Sequence, residues 1–434
     1  MTWLLFGLFV GFMVLRVPIG MSIGGAVICT LLYAGFGEEL YIVPVQILEG
    51  VDSPALLAVP FFIMAGVLMN EIGLTDRIFD FANALVGHFR AGLAQVNVLA
   101  SMIFAGSSGT AVADIAGLGA MEVKAMRQHG YPADFAAALS ICSAMVGPLI
   151  PPSVPLVVYG FISGTSVARL FLGGILPGIL LGISLMVFNF LIAKKRNFPR
   201  GERATLRQVA TSAWHGMAAL VSPIIILGSI TWGMTTPTEG GVLACFYAVA
   251  LGAFYRTLSW QRIWNALTQT MLITSVVMII IGFSTVMGWL LAIERVPQQM
   301  SEAVLFVTTD KHMFLFLLIV FLLIIGCLIE PVPAKLILVP VLLPVIDQFG
   351  IDRVHFGLII TLALLIGLAT PPMGLGLYIM TEISGESFEK VTKATLPLLV
   401  PLIVTLILVT FIPGLTLWIP DLIMGPEIAA PARN

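Results

Sequence analysis

Residues 147–160 read GPLIPPSVPLVVYG and residues 367–380 read GLATPPMGLGLYIM, two apolar stretches each cut by a Pro-Pro pair set among glycines and small hydroxyls. They stand 220 positions apart, and the same register holds outward from them. Gly106, Gly130, Gly147, Pro151, Pro152 and Pro177 are matched by Gly326, Gly350, Gly367, Pro371, Pro372 and Pro397. Upstream of each pair lies a second interrupted segment, GSSGTAVADIAGLGAMEVKAMRQHGY at 106–131 and GCLIEPVPAKLILVPVLLPVIDQFGI at 326–351. Matched interruptions in the two halves of a hydrophobic chain point to a secondary transporter whose binding site lies between repeats.

Composition agrees. With 59% hydrophobic and 10% charged residues, the 434-residue chain is far more apolar than a soluble domain, and its mean hydropathy is +1.06. A net charge of −2 offers nucleic acid no basic surface. Cys29, Cys142, Cys245 and Cys327 fall singly inside apolar runs, without disulfide or metal-ligand spacing. The start, TWLLFGLFVGFMVLR, lacks a basic leader and a cleavage site, so it is expected to remain as a membrane helix.

Ten full crossings are expected, near 2–16, 18–36, 55–73, 133–165 (broken), 168–193, 218–234, 237–255, 268–293, 354–383 (broken) and 394–419. Segments 92–128 and 313–349 are cut by GSSG at 106–109 and EPVP at 330–333. Limbs of about 14 helical residues would reach only ~21 Å, so both segments are expected to be re-entrant hairpins. Their tips must face protein or a wet cavity, because backbone that leaves a helix inside the membrane needs partners. Five crossings separate the two hairpins, so they enter from opposite faces and the repeat is inverted. The fold expected is therefore an all-α polytopic membrane protein with two re-entrant hairpins and two broken helices. Its divisions are 1–91, N-terminal scaffold; 92–193, first transport repeat; 194–312, loop, arms and second scaffold part; and 313–434, second transport repeat.

Lys and Arg sort strongly under this scheme. Fifteen, from Arg16, Arg77 and Arg90 through Lys194–Arg207 to Lys390 and Lys393, fall on one side; Arg169, Arg295, Lys311, Arg353 and Arg433 fall on the other. The richer side is expected in the cytoplasm, with both termini outside. Amphipathic segments at 40–52, 203–217 and 256–267 are expected to lie along the interface as braces. Trp214, Trp260 and Trp264 on one side, with Trp3, Trp232 and Trp418 on the other, suit interfacial belts.

Nothing in the chain suggests an enzyme. His88, His129, His215, His312 and His355 are scattered, and no phosphate loop or nucleophile elbow appears, so transport would draw on an ion gradient. The first candidate Na⁺ site comprises Gly106, Ser107, Ser108 and Gly109 at the tip with Gly147, Ile150 and Ser153 at the break. These supply hydroxyls and carbonyls released by glycine and proline. By symmetry the second comprises Gly326, Glu330, Gly367, Thr370 and Met373. Small residues also serve close helix packing, but two symmetric breaks favour ion sites. Asp114, Glu330 and Lys335 lie inside hairpins, where a charge is functional by default. Asp114 would support a cation. Lys335 would either attract an anionic substrate or pair with Glu330. Helix N-termini near Val154 and Gly374 aim positive dipole ends at the midplane and favour carboxylates or sulfonates. Pro152, Ser153, Lys335, Pro372 and Gly374 are the substrate-binding candidates.

These motifs, with GFISGTSVARLFLGGILPG at 160–178, resemble the large membrane subunit of tripartite ATP-independent periplasmic (TRAP) transporters, in the ion transporter superfamily, over nearly the entire chain. The resemblance implies a Na⁺-driven importer of the bacterial inner membrane that works by an elevator motion. It also implies a small four-helix membrane subunit and a soluble periplasmic binding protein as partners, and an organic-acid substrate. Na⁺ is the only cofactor implied, at the tip and break positions given above. The chain departs from the family where Lys335 interrupts the aliphatic run after Ala334. No small-subunit helices precede Thr2, so the four-helix partner is expected as a separate polypeptide. The alternative is a stand-alone Na⁺-coupled carboxylate carrier of the same superfamily that needs no binding protein.

Overall fold

The computed structural model describes residues 1–196, 198, 201 and 203–426, with the side chains of 39, 106–108, 194–196, 215 and 219 outside the description. Arg200 and Arg433, and the side chains of Lys194, Lys195, Arg196 and His215, therefore lie outside the described residues. The described chain is helical and carries no strand. Its first half runs α1 (Thr2–Val14), α2 (Ile19–Tyr33), α3 (Ile42–Val51), α4 (Ala58–Glu71), α5 (Leu74–Val86), α6 (Gly92–Ser108), α7 (Ala111–Ala116), α8 (Leu118–Gln128), α9 (Ala133–Ala144), α10 (Val154–Ser163) and α11 (Val167–Arg196). The second half runs α12 (Leu206–Thr231), α13 (Pro237–Phe254), α14 (Trp260–Ile293), α15 (Val296–Val307), α16 (Lys311–Leu328), α17 (Pro331–Gln348), α18 (Arg353–Gly367), α19 (Leu375–Ser384), α20 (Phe388–Phe411) and α21 (Gly414–Met424).

The 220-residue register extends over both halves. Shifted by that amount, α2 falls on α13, α5 on α15, α6 on α16, α7 with α8 on α17, α10 on α19 and α11 on α20, while α3 and α4 together fall on the single helix α14. The backbone repeats as well. The peptide bonds Pro151-Pro152 and Pro371-Pro372 are both cis, and Gly130 and Gly350 both have positive φ, at 83° and 59°.

Among the described residues, six helices are long and apolar enough to cross a membrane, and up to eight if each bent pair is one span. The ten expected crossings are more because the broken helices divide into halves, and because α1 and α2 have only 13 and 15 residues. Two expected braces are not separate elements. Segment 256–267 runs into the 34-residue α14, and 203–217 continues through a 43° bend into the rest of α12. Polar side chains change which face of a helix is wet without breaking its i→i−4 bonds, so polarity alone did not mark a boundary. Helices α5 and α15 are additional; α5 leaves α4 at 72° and presents Leu74, Ile78, Phe81 and Ala82 inward.

The limbs of the second hairpin are longer than expected. Both α16 and α17 have 18 residues, about 27 Å each. Pro331 occupies the first turn of α17, where its missing N–H costs nothing, so the helix starts directly at the tip. The hairpin is nonetheless closed at its base, where Lys311 Nζ donates to Gly350 O at 3.0 Å. At the base of the first hairpin, the Tyr131 side chain bonds the backbone of Leu93 and Ala94.

Two arginines show that the bases lie at opposite ends of the molecule. Arg127, beside the first base, donates to Ser384 O at the end of α19 (3.2 Å), while Arg353, beside the second, donates to Ser163 O at the end of α10 (3.2 Å). Other end contacts sort identically. Thr2 with Glu294, Arg169 with Asp421, and Thr238 with Pro54 join residues of one set. Gly201 with Gly87, and Arg77 over Tyr255, join residues of the other.

Helices α1–α5 and α12–α15, called the scaffold, pack among themselves, as do α6–α11 and α16–α21, called the core, and the two groups meet where α4, α5 and α12 lie on α6 and where α14 and α15 lie on α17. At the centre of the core stand α9 and α18, with Phe135–Ala144 and Val354–Gly367 buried on every face. Helices apolar all round belong in such interiors. Here α16 meets α18 through a backbone contact: a Cβ on Gly326 would stand 2.9 Å from Leu364 O and 3.2 Å from Gly367 Cα. Gly367→Val is therefore expected to overpack the crossing and cost about 3 kcal/mol, read as a lower thermal midpoint in detergent. Gly228→Ala, with nothing within 4 Å, is expected to leave the midpoint unchanged or raise it slightly.

Candidate functional site

Each break is held by its own backbone and by the tip of the hairpin beside it. Gly109 closes α6 with φ 64°, a conformation glycine adopts without strain. Its carbonyl accepts from Val154 N–H at 3.2 Å, and a Cβ there would lie 3.0 Å from Pro152 O. The first tip thus rests on the Pro152–Val154 backbone. Ser153 caps α10 by accepting from Leu156 N–H at 3.3 Å, and its own hydroxyl donates to Pro148 O at 2.5 Å. Its side chain is therefore spent on the loop, which leaves main-chain carbonyls as the oxygens of this break. Asp114 is buried against Gly147; a Cβ on Gly147 would collide with its carboxylate. Ile150 packs on Gly178.

Gly106, Ser107 and Ser108 end α6, but their side chains lie outside the described residues. The structure thus brings together Gly109, Asp114, Gly147, Pro152 and Ser153 of the first set.

In the second set Gly326 and Gly367 touch, and the Cys327 thiol meets the Thr370 side chain. Thr370 Oγ1 donates to Ile366 O at 2.8 Å, and its carbonyl accepts from Gly374 N–H at 3.2 Å. Gly374 starts α19 without a side-chain cap and sits against Leu368 O and Thr370 O. Pro372 and Met373 are exposed, Met373 by 51%, whereas Pro151 to Val154 are buried. Met373 offers a soft thioether, so only its carbonyl suits a hard cation. The Glu330 carboxylate stands half-buried at the start of α17 and makes no hydrogen bond or ion pair among the described residues.

Lys335 departs from both expectations for it. It is completely enclosed, and Nζ donates to Pro155 O at 2.9 Å and Thr361 Oγ1 at 2.7 Å. It does not pair with Glu330, and in this arrangement it reaches no open space where substrate could stand. Instead the ammonium ties α17 to the helix after the first break and the helix before the second. Its partners are 180 and 26 residues away, which no local pattern displays.

A cluster missed in the sequence lies between the first hairpin and α9. Glu122, Asn97, Ser101 and Ser140, from α8, α6 and α9, are all at least 99% buried and bonded to one another. An acidic residue within a re-entrant limb was the available signal, as it was for Asp114.

Fold and site together define a membrane transporter assembled from two inverted repeats. The family profile described as "Tripartite ATP-independent periplasmic transporter, DctM component" matches residues 6–415. The chain is 44% identical over 381 residues to the Vibrio cholerae sialic acid TRAP transporter large permease protein SiaM, spanning 88% of this chain and 89% of that one. It is 35% identical to the Escherichia coli 2,3-diketo-L-gulonate TRAP transporter large permease protein YiaN, spanning 94% and 97%. The Alcanivorax borkumensis YdaH transporter shares its fold, with a TM-score of 0.59, 14% identity and coverage of 94% and 97%. The chain belongs to the DctM family of TRAP transporters and is a multi-pass membrane permease, not an enzyme.

The Lys335 contacts give an asymmetric expectation. Lys335→Met removes the buried charge together with its demand for acceptors, so the thermal midpoint should correspond to a change within about 1 kcal/mol. Thr361→Val leaves the ammonium short of one acceptor and should cost about 2–3 kcal/mol.

Proposed function

We propose that the chain is the large permease subunit of a Na⁺-coupled importer of an organic acid across the bacterial inner membrane. In this reading it moves substrate by an elevator displacement of the core against the scaffold. A periplasmic binding protein delivers the substrate, and a separate four-helix membrane subunit completes the complex. Proteins similar to this chain are named as permeases for sialic acid, isethionate, 2,3-diketo-L-gulonate and C4-dicarboxylate. All are acids, and helix N-termini aimed at a midplane break suit an anionic group.

The observation that carries the reading is the unequal grip of the scaffold on two hairpins built alike. In the first copy α4 and α5 hold the first limb, α6, and leave one face of α7–α8 exposed at Ala113, Ala116 and Ala120. In the second copy α14 and α15 hold the second limb, α17, and leave α16 peripheral. Exchanging these two grips would convert one arrangement into its mirror in the membrane, which is how inverted repeats supply two access states. The exposed track from Pro372 and Met373 along Leu375 and Tyr378 runs toward the end where Arg127 meets Ser384. With the basic end in the cytoplasm and both termini periplasmic, this is the inward-open state.

The partner proteins and the ion are tested together by uptake into proteoliposomes. Uptake is expected only with both an inward Na⁺ gradient and ligand-loaded binding protein. Transport without the binding protein would favour the stand-alone carrier, and transport indifferent to Na⁺ would remove the coupling ion. In the same assay, replacing Ser107 and Ser108 by alanine should raise the Na⁺ concentration for half-maximal uptake. An unchanged value would take that tip out of the cation site.

A further inference from the structure

We propose that Asn97, Ser101, Glu122 and Ser140 form a buried Na⁺ site of their own, between the first hairpin and α9 and apart from the two tip-and-break positions. The inference rests on the Na⁺-coupled reading above and adds an ion to it. Ser101 lies seven residues before the end of α6, roughly 10 Å from the tip along the helix, so the cluster and the Gly109–Val154 contact are separate places in the fold.

Three observations carry it. The first is charge. Glu122 is 1% exposed, and its partners are all neutral: Asn97 Nδ2 donates to Oε2 at 2.7 Å, Ser101 Oγ lies 3.4 Å from Oε1, and Ser140 bonds it as well. Ionising a carboxyl buried this deeply is costly, and among the described residues no Lys, Arg or His side chain is bonded to it to balance the charge. Asp114, on the same limb, adds a like charge. A buried carboxylate without a counter-charge is costly, and a bound cation supplies one.

The second is an unmatched acceptor. Asn97 is completely enclosed, and its Oδ1 has no hydrogen-bond partner. Its Nδ2 meanwhile stands 2.7 Å from both Glu122 Oε2 and Ser140 Oγ. A half-turn of the amide aims Oδ1 into that space, an assignment that heavy-atom positions alone leave open.

The third is donor chemistry. With the amide turned, the Asn97 donor to Glu122 is given up, and two carboxylate oxygens, one amide oxygen and two hydroxyls from α6, α8 and α9 face the position it left. That is a set for a hard monovalent ion, with no sulfur or imidazole ligand to recruit a transition metal. The Met126 sulfur, 4.0 Å from Asn97 Nδ2, lines the space without competing for such an ion.

Equilibrium binding of radiolabelled Na⁺ to the purified full-length permease tests the proposal. Glu122→Gln is expected to bind one Na⁺ fewer per chain than the parent. The milder Ser101→Ala/Ser140→Ala pair is expected to keep the stoichiometry and raise the half-saturating concentration of the last ion several-fold. That pair decides the matter if the glutamine variant does not fold. Equal stoichiometry in Glu122→Gln, or unchanged half-saturation in the serine pair, would overturn the site and leave the cluster a proton-holding or packing network, with Na⁺ coupling intact. A parent protein that binds no Na⁺ would overturn the coupling itself, and this site with it.

Discussion

Backbone that leaves a helix inside a membrane has no water to turn to, and the rest of the architecture follows from how this chain meets that demand. At each break a Pro-Pro pair takes away two N–H donors, which reduces the number of groups needing partners. The remainder are met locally and from the facing hairpin. Ser153 closes its own loop, and Gly109 lends a carbonyl to Val154. Gly326 and Gly367 let two backbones touch where any side chain would hold them apart. Hairpin and broken helix are thus one unit in each repeat, and a cation drawn to released carbonyls would bind where the two meet.

The two units are alike in sequence register and in backbone, yet they are not in the same surroundings. The first break is buried and the second is partly open. The scaffold holds the first limb of one hairpin and the second limb of the other. On the proposed elevator reading, two structurally equivalent units in unequal environments are what an inverted repeat would present in one of its two states. Lys335 adds a fixed element to this arrangement. It binds the second hairpin to helices of both repeats, so the core would move as one body, not as two independent hairpins.

Much of this was legible because glycine and proline act through their own backbone. The breaks at 147–153 and 367–374, the tips, the inverted order and the family all followed from their positions. Element boundaries were less so. The polar run at 256–267 looked like a separate brace but is the first part of α14, since exposed polar residues are as helical as apolar ones. The limb after Glu330 looks short in the sequence because proline breaks helix interiors, whereas Pro331 stands in the first turn, where proline is a starter. Partners across the fold were not legible at all. Lys335 was expected to meet an anion five residues away or a substrate, and it meets a carbonyl and a hydroxyl from two other helices. Glu122 was passed over because its partners Asn97 and Ser140 lie on neighbouring helices, 25 or fewer residues away in sequence but with no motif to join them.

The central claim is that the scaffold exchanges its grip between equivalent hairpin limbs. Ser301 and Gln348, on α15 and α17, are in contact here, and Phe81 and Gln128 occupy the matching positions of the first repeat, 220 residues earlier. The most direct measurement is disulfide cross-linking of the Ser301→Cys/Gln348→Cys and Phe81→Cys/Gln128→Cys variants in membranes, with and without Na⁺ and loaded binding protein. The account predicts that both pairs cross-link and that conditions favouring one disfavour the other. A Phe81→Cys/Gln128→Cys pair that never cross-links, or two pairs that rise and fall together, would contradict it.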